Sequence, residues 1–243
     1  MADPTHGDAR LTWLGHGTFH LRLGDGRAVL VDAWVESNPV CPPEWKQRAH
    51  EGLSALLLTH GHSDHVGDAV AITQASSATV VAIVEVAAWL AQHGVPSERL
   101  VPMNKGGTVQ VAGIAATMVN AEHTSGLGDE IAYGGDPAGY VVRLPAGRTI
   151  YFAGDTAVFG DMRIIGELWH PEIAVLPIGG HFTMDPDQAA YAAGLIGCRT
   201  VVPGHYGTFP LLSGTPAELR AALNKRAPGV EVAELQPGGG MAV

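Results

Sequence analysis

Leu56-Leu57-Leu58-Thr59-His60-Gly61-His62-Ser63-Asp64-His65 decides the reading of this chain, because a short apolar run stops there and four candidate metal ligands follow within six residues. Ala55 to Thr59 is too short for a helix and too uniformly apolar for a half-exposed strand, so it reads as a buried central strand with the ligands at its carboxyl end. Gly61 lets the backbone bend sharply there, and Ser63 or Asp64 is placed to cap a helix that starts near His65 and runs through Val70. His60 and His62 leave the strand end on one side, and Asp64 and His65 arrive from the helix start on the other. That arrangement suits two neighbouring metals better than one. Neutral imidazoles and a carboxylate are ligands for zinc, manganese or iron, and no cysteine lies in the stretch.

Outside this stretch the bulk properties set limits. With 243 residues, 46% of them hydrophobic, the chain has ample material for a sizeable core, and a single domain over residues 1–243 is expected. A net charge of −10 with only 14 Lys and Arg offers no basic stripe for a phosphate backbone, so nucleic acid is not an expected partner. Met1 to Arg10 is polar, and no apolar run reaches the ~18 residues of a membrane span, which points to a cytoplasmic protein without a membrane partner. Cys41 and Cys198 stand in unrelated contexts and read as reduced, partly buried thiols.

Leu11–Trp13, Thr18–Leu23 and Ala28–Asp32 read as short antiparallel strands with Gly15-His16-Gly17 and Gly24-Asp25-Gly26 as turns. Asp32 ends its apolar run as a carboxylate at a strand terminus, and His16 has glycine neighbours that let its backbone come close to a site. Trp34 to His50 reads as an irregular loop. Beyond the ligand helix come a strand over Thr79–Val84, a helix over Glu85–His93 stopped by Gly94, and a hairpin of Thr108–Val111 with Ile114–Asn120 that leads to His123. Gly139–Leu144 and Thr149–Ala153 pair through a turn, and the second ends in Gly154-Asp155-Thr156. A helix over Phe159–Leu168 and a strand over Ile173–Leu176 precede the loop Ile178-Gly179-Gly180-His181-Phe182-Thr183-Met184. Asp185-Pro186 opens a helix to Ile196, Thr200–Val202 leads to His205-Tyr206, and Thr215-Pro216-Ala217-Glu218 is a capping box for a last helix. His60, His123, Asp155 and His205 each follow a strand directly, so the candidates gather along one edge of the sheets.

Thr59-His60-Gly61-His62-Ser63-Asp64-His65 resembles the signature of the metallo-β-lactamase superfamily. The resemblance implies a four-layer αββα sandwich, with two mixed sheets face to face and helices on both outer sides. It implies two divalent ions, zinc first and manganese or iron as alternatives, one taken by His60, His62 and His123 and the other by Asp64, His65 and His205, with Asp155 bridging. Asp32 would then orient a metal-bound histidine. With Asp64, Asp155 and a bridging hydroxide, such a site is about one unit positive and attracts an anion or a developing oxyanion.

Gly-His-Gly, His-Thr-Ser-Gly, Gly-Asp-Thr-Ala-Val-Phe-Gly-Asp-Met, Leu-Pro-Ile-Gly-Gly-His-Phe-Thr-Met and Gly-His-Tyr-Gly-Thr-Phe-Pro are similar to the small hydrolases related to L-ascorbate-6-phosphate lactonase. Members of that branch typically carry Asp where Gly180 stands, whereas this chain has its acid later, at Asp185. The function so implied is a metal-dependent hydrolase in which a hydroxide held by the two metals attacks an ester, lactone or phosphoester bond of a small anionic substrate. Asp64 and His181 are its expected catalytic residues, His181 as proton donor to the leaving oxygen with Tyr206 as the other candidate. A phosphodiesterase or nuclease of the same superfamily, or a non-catalytic metal-binding protein, is the alternative. A small molecule is the expected partner, and a homo-oligomer is left open.

Overall fold

The computed structural model describes residues 9–128 and 131–243. Its first half starts with β1 (Arg10–Gly15), β2 (Thr18–Arg22) and β3 (Ala28–Val31), paired antiparallel. The segment after β3 is not wholly irregular, since Pro42 and Pro43 open a short helix, α1 (Pro43–Arg48), in it. Then β4 (Leu53–Leu57), α2 (Ser63–Val66), α3 (Ala69–Ala75), β5 (Thr79–Ile83), α4 (Val84–Gln92) and β6 (Leu100–Met103) follow, with β3 to β6 all parallel. The second half repeats the plan: β7 (Thr108–Val111), β8 (Ile114–Asn120), β9 (Ala138–Arg143) and β10 (Thr149–Phe152) form an antiparallel meander. From there α5 (Met162–Trp169), β11 (Ile173–Pro177), α6 (Pro186–Ile196), β12 (Thr200–Gly204), α7 (Pro216–Arg226) and β13 (Glu231–Val232) extend the sheet in parallel. Finally β14 (Gly240–Ala242) returns to the first sheet beside β1.

Among the described residues the strands form two seven-stranded sheets, in the orders β14-β1-β2-β3-β4-β5-β6 and β13-β12-β11-β10-β9-β8-β7. The period of two along each strand separates the layers. Tyr140, Val142, Ile150, Phe152 and Val175 face the first sheet and share its core with Phe19, Leu30 and Leu56. Val141, Tyr151, Ala174 and Val201 point the other way, against α5, α6 and α7. Helix α6 lays Ala189, Ala190, Ala192 and Ala193 on the sheet, small side chains that permit close approach. With α4 packed on β5 and β6, the result is the αββα sandwich expected from the sequence. Tyr140 ties the sheets together: its hydroxyl lies 3.0 Å from the Leu58 carbonyl and 3.2 Å from that of Val81.

The helix expected from His65 through Val70 is broken. α2 ends at Val66, and Asp68 precedes α3 while its carboxylate accepts the N–H groups of Val35 and Glu36 at 2.6 and 2.8 Å. Neither Ser63 nor Asp64 caps it, because His62 holds the N-cap position and Asp64 is engaged by His16. β6, β13 and β14 are short, half-exposed strands with too little alternation to be read from sequence. The caps at Asp185 and at Thr215 with Glu218 form as expected. Both cysteines are free and buried, and no helix of the described residues is long and apolar enough to cross a membrane.

His20 on β2 carries a pH dependence. Its ring is buried 4.9 Å from that of Trp45, Nδ1 has no partner among the described residues, and burial, with the charges of Arg22 and Arg48, lowers its pKa to about 4. The unfolded chain therefore takes up a proton near pH 6.5 that the folded chain refuses, so this contribution to stability is full above that pH and is lost as pH falls towards 4. Urea unfolding at pH ~7 and ~5 should show His20→Phe losing about 2 kcal/mol less than wild type on acidification.

Candidate metal centre

The carboxyl ends of the parallel strands meet at one edge of the sandwich, where open α/β sheets place their chemistry. Asp32 follows β3, the run from His60 to His65 follows β4, His123 follows β8, Asp155 follows β10 and His205 follows β12. Three groups of donor atoms result, in each of which all atoms lie within 4.8 Å of one another: His60, His62 and His123; His60, His65 and Asp155; and His16, Asp64, His65 and His205. All seven residues expected to hold metal are thus brought together, with His16 as an addition.

Hydrogen bonds from outside decide which nitrogen each ring turns inward. The buried Asp32 carboxylate accepts the Thr59 N–H at 2.8 Å, the Thr59 hydroxyl at 2.8 Å and His65 Nδ1 at 2.7 Å. Having given its proton to Asp32, the Thr59 hydroxyl accepts from His60 Nδ1 at 3.0 Å. His62 Nε2 faces the Thr124 hydroxyl at 3.4 Å. His60 Nε2, His65 Nε2 and His62 Nδ1 are left facing inward. His60 Nε2 and His62 Nδ1 come to 3.0 Å of each other. His65 Nε2 and His205 Nε2 stand 3.3 and 2.9 Å from Asp155 Oδ2, yet both are buried without an aligned hydrogen-bond partner. Donor atoms on one tetrahedral zinc, each ~2.0–2.1 Å from it, lie about 3.3 Å apart, so these contacts have the spacing of ligands around a cation. The donor set fits bound metal.

Electrostatics agree. Burial alone would depress the His65 pKa, but Asp155 and Asp32 on either side raise it well above its ordinary value. Asp155, also buried, would be pushed up by desolvation and is instead held well below the carboxylate range by His205 and His65. Burial keeps His60 neutral by lowering its pKa well below 6.5. The cluster therefore contains buried anions that need positive charge between them and a neutral imidazole ready to coordinate.

Glycines make room for this. A Cβ on Gly17 would lie 2.6 Å from the His65 ring, and one on Gly61 would lie 2.8 Å from the Gly126 carbonyl. The His123 and Asp155 loops are joined through Thr156, whose hydroxyl accepts the Glu122 N–H at 2.9 Å.

Other candidates lie apart. His181 is exposed on its loop with its ring 4.4 Å from that of Phe182, and it makes no polar contact with the seven. Its loop is anchored beside the centre, since the Met184 N–H donates to the Thr156 carbonyl at 3.1 Å. Tyr206 is stacked 4.9 Å from Trp13, and burial pushes its hydroxyl up to about 12. Gly180 has φ +69, and Asp185 does not replace an acid there, because its carboxylate accepts the Gln188 N–H at 2.8 Å as a helix cap. Sequence reasoning missed the Thr59 relay and the wall formed by Trp34 and Phe209 against His16; a threonine beside a ligand and an aromatic after Gly207-Thr208 were the only signals.

A family model described as a β-lactamase superfamily domain matches residues 27–206. The chain is 53% identical over 234 residues to a UPF0173 metal-dependent hydrolase of Roseiflexus sp. (strain RS-1), covering 95% of this chain and 96% of that protein. Among solved structures, Igni18, a metallo hydrolase from the hyperthermophilic archaeon Ignicoccus hospitalis KIN4/I, matches with a TM-score of 0.84 and 33% identity over 97% of this chain and 98% of that one. The metallo-β-lactamase fold protein YhfI from Bacillus subtilis matches with a TM-score of 0.74 over 98% and 100% of the two chains, a likeness of fold alone at 14% identity.

Asp32→Asn keeps the shape but removes the charge that orients His65 directly and His60 through Thr59. Metal affinity, measured by competition with a chromogenic chelator, should fall ~10–100-fold. An unchanged affinity would show that the two rings are held by packing alone.

Proposed function

Because the chain belongs to the metal-dependent hydrolases of the β-lactamase superfamily, we propose that it cleaves an ester or lactone bond of a small substrate with the aid of two divalent ions. His60, His62 and His123 would hold one ion, Asp64, His65 and His205 the other, with Asp155 shared between them. The observation that carries this reading is the convergence of His65 Nε2 and His205 Nε2 on Asp155 at hydrogen-bond distance without hydrogen-bond alignment. When bound, the ions lower the pKa of a water molecule towards 7 and polarise the bond under attack. The nitrogen-rich donor set suits zinc, with manganese or iron as alternatives.

The chain's own groups do the rest. Asp155 would offset the mutual repulsion of two cations, and Asp32 with Thr59 would hold His60 and His65 in the tautomers that donate from Nε2. His181, exposed on the loop tied to Thr156, would carry a proton to the departing oxygen. No lysine or arginine of the described residues bonds to a site residue, and the strongest charges acting on the cluster come from its own histidines and aspartates. A phosphate group would find no side-chain clamp of the usual kind, which favours a carbonyl that becomes anionic during attack. Phe209, 38% exposed beside Trp34 and His16, offers an apolar surface for the rest of the substrate.

A panel of lactones, carboxylic esters, amides and phosphodiesters, assayed with and without chelator, tests the reading. Ester or lactone turnover should vanish with the chelator and return with about two equivalents of zinc or manganese per chain. Turnover confined to phosphodiesters would overturn the acyl assignment, and saturation at one equivalent would overturn the metal pair.

His181→Ala should lower kcat ~10²-fold with both metals retained, and poor leaving groups should suffer far more than activated ones. Equal losses for both would mean that His181 binds substrate and does not donate a proton.

A further inference from the structure

His16 has no part in the ligand set proposed above, and it stands ahead of the segment 27–206 matched by the superfamily model. Its ring is nonetheless completely buried at the centre, 3.9 Å from the His205 ring between centroids, with Nε2 2.9 Å from Asp64 Oδ2 and Nδ1 3.0 Å from the Thr208 hydroxyl. We propose that His16 is a further protein ligand of the ion held by Asp64, His65 and His205, bound through Nε2. The inference rests on the two-metal reading.

Its bonding follows the pattern of the other inner rings. His60 and His65 each give their outer N–H to an oxygen of the protein and turn the second nitrogen inward. For His16 the outer acceptor is Thr208, whose own hydroxyl proton has the Tyr206 carbonyl 3.4 Å away as its partner. The Thr208 lone pair then takes the Nδ1 proton, and Nε2 presents a lone pair to a carboxylate oxygen. In that tautomer two lone pairs meet at 2.9 Å unless a cation lies between them, and the four donor atoms of His16, Asp64, His65 and His205 lie within 4.8 Å of one another.

The backbone is bent to put the ring there. His16 has φ +54, a left-handed conformation unusual for a residue with a Cβ, after Gly15 at φ +102. Its carbonyl accepts both the Trp13 indole N–H and the His205 backbone N–H at 2.9 Å, so the same residue clamps the strand end that carries His205. Local strain of this kind is kept where the surroundings over-determine it, and here the surroundings are the metal centre. The two ions would then be unequal. The one beside His16 would have three nitrogens and the Asp64 carboxylate against three nitrogens for the other, and would be the more tightly held.

His16→Gln in the full chain separates a ligand from a hydrogen-bond donor, since the amide N–H can still serve Asp64 but the side chain is a poor metal ligand. Cobalt(II) titration, followed by d–d absorption and metal analysis, should show two tight equivalents in wild type. The variant should retain one and bind the other ~100-fold or more weakly. For the wild type itself, nitrogen NMR of the zinc-loaded, 15N-histidine-labelled protein should show six metal-bound imidazole nitrogens, which keeps the test independent of how the variant folds. Wild-type affinity for both ions in His16→Gln, or five bound nitrogens with two ions present, overturns the inference alone. A wild type that never takes more than one ion overturns the two-metal reading and the inference with it.

Discussion

A single buried carboxylate, Asp32, organises the centre. Burial pushes its pKa up, and it is compensated by the charge and hydrogen bond of His65 and by two bonds from Thr59. An unpaired charge at this depth would cost several kcal/mol, so the three donors are a condition for the fold to keep it there. Their other effect is chemical. One oxygen of Asp32 receives His65 Nδ1 directly and the Thr59 hydroxyl that in turn receives His60 Nδ1, so a single anion selects the tautomer of one ring in each of the two proposed ligand sets.

The two sheets explain why such a centre forms at their edge. Each has an antiparallel part followed by a parallel part, and Asp32 and Asp155 both follow the strand at which the pairing changes, β3 in one sheet and β10 in the other. One aspartate orients rings from behind, and its counterpart faces them. Because His60 to His65 come from the first sheet and His123, Asp155 and His205 from the second, the donors converge only when the sheets are packed. The Tyr140 hydroxyl and the shared core hold that packing, which links metal affinity to the stability of the whole sandwich.

Backbone geometry at this edge is unusual in a consistent way. His16, Asp32, His181 and His205 all have φ between +52 and +57 without being glycine. His16, Asp32 and His205 each lie just past a strand, where a left-handed residue turns the side chain out of the pleat and towards the edge. The hydrogen bonds to the carbonyl of His16 and the network around Asp32 show how two of these conformations are held. Beside them, the exposed Phe209 packs against Trp34 and His16, while lysines and arginines pair elsewhere, as Arg27 does with Asp25 and Arg226 with Asp187.

The amino-acid sequence by itself determined the strands that carry the site and most of its candidate ligands, since these are local properties. An apolar run that ends at His60, a carboxylate after Ala153-Gly154 and a Pro-Gly-His after Val202 can each be read within ten residues. The sequence also led to the sandwich, through the resemblance of one seven-residue motif. What it did not decide are relations between segments distant in the chain. His16 reaches Asp64 across 48 positions and Thr208 across 192, and Asp32 reaches Thr59 across 27. The break between α2 and α3 belongs to the same class, because Asp68 leaves the helix to serve the N–H groups of Val35 and Glu36. Hydrophobic period and capping chemistry act over a few residues, whereas the direction of a lone pair depends on which distant hydroxyl or carboxylate takes the opposite proton. Only the packed sheets bring those partners within 3 Å of one another.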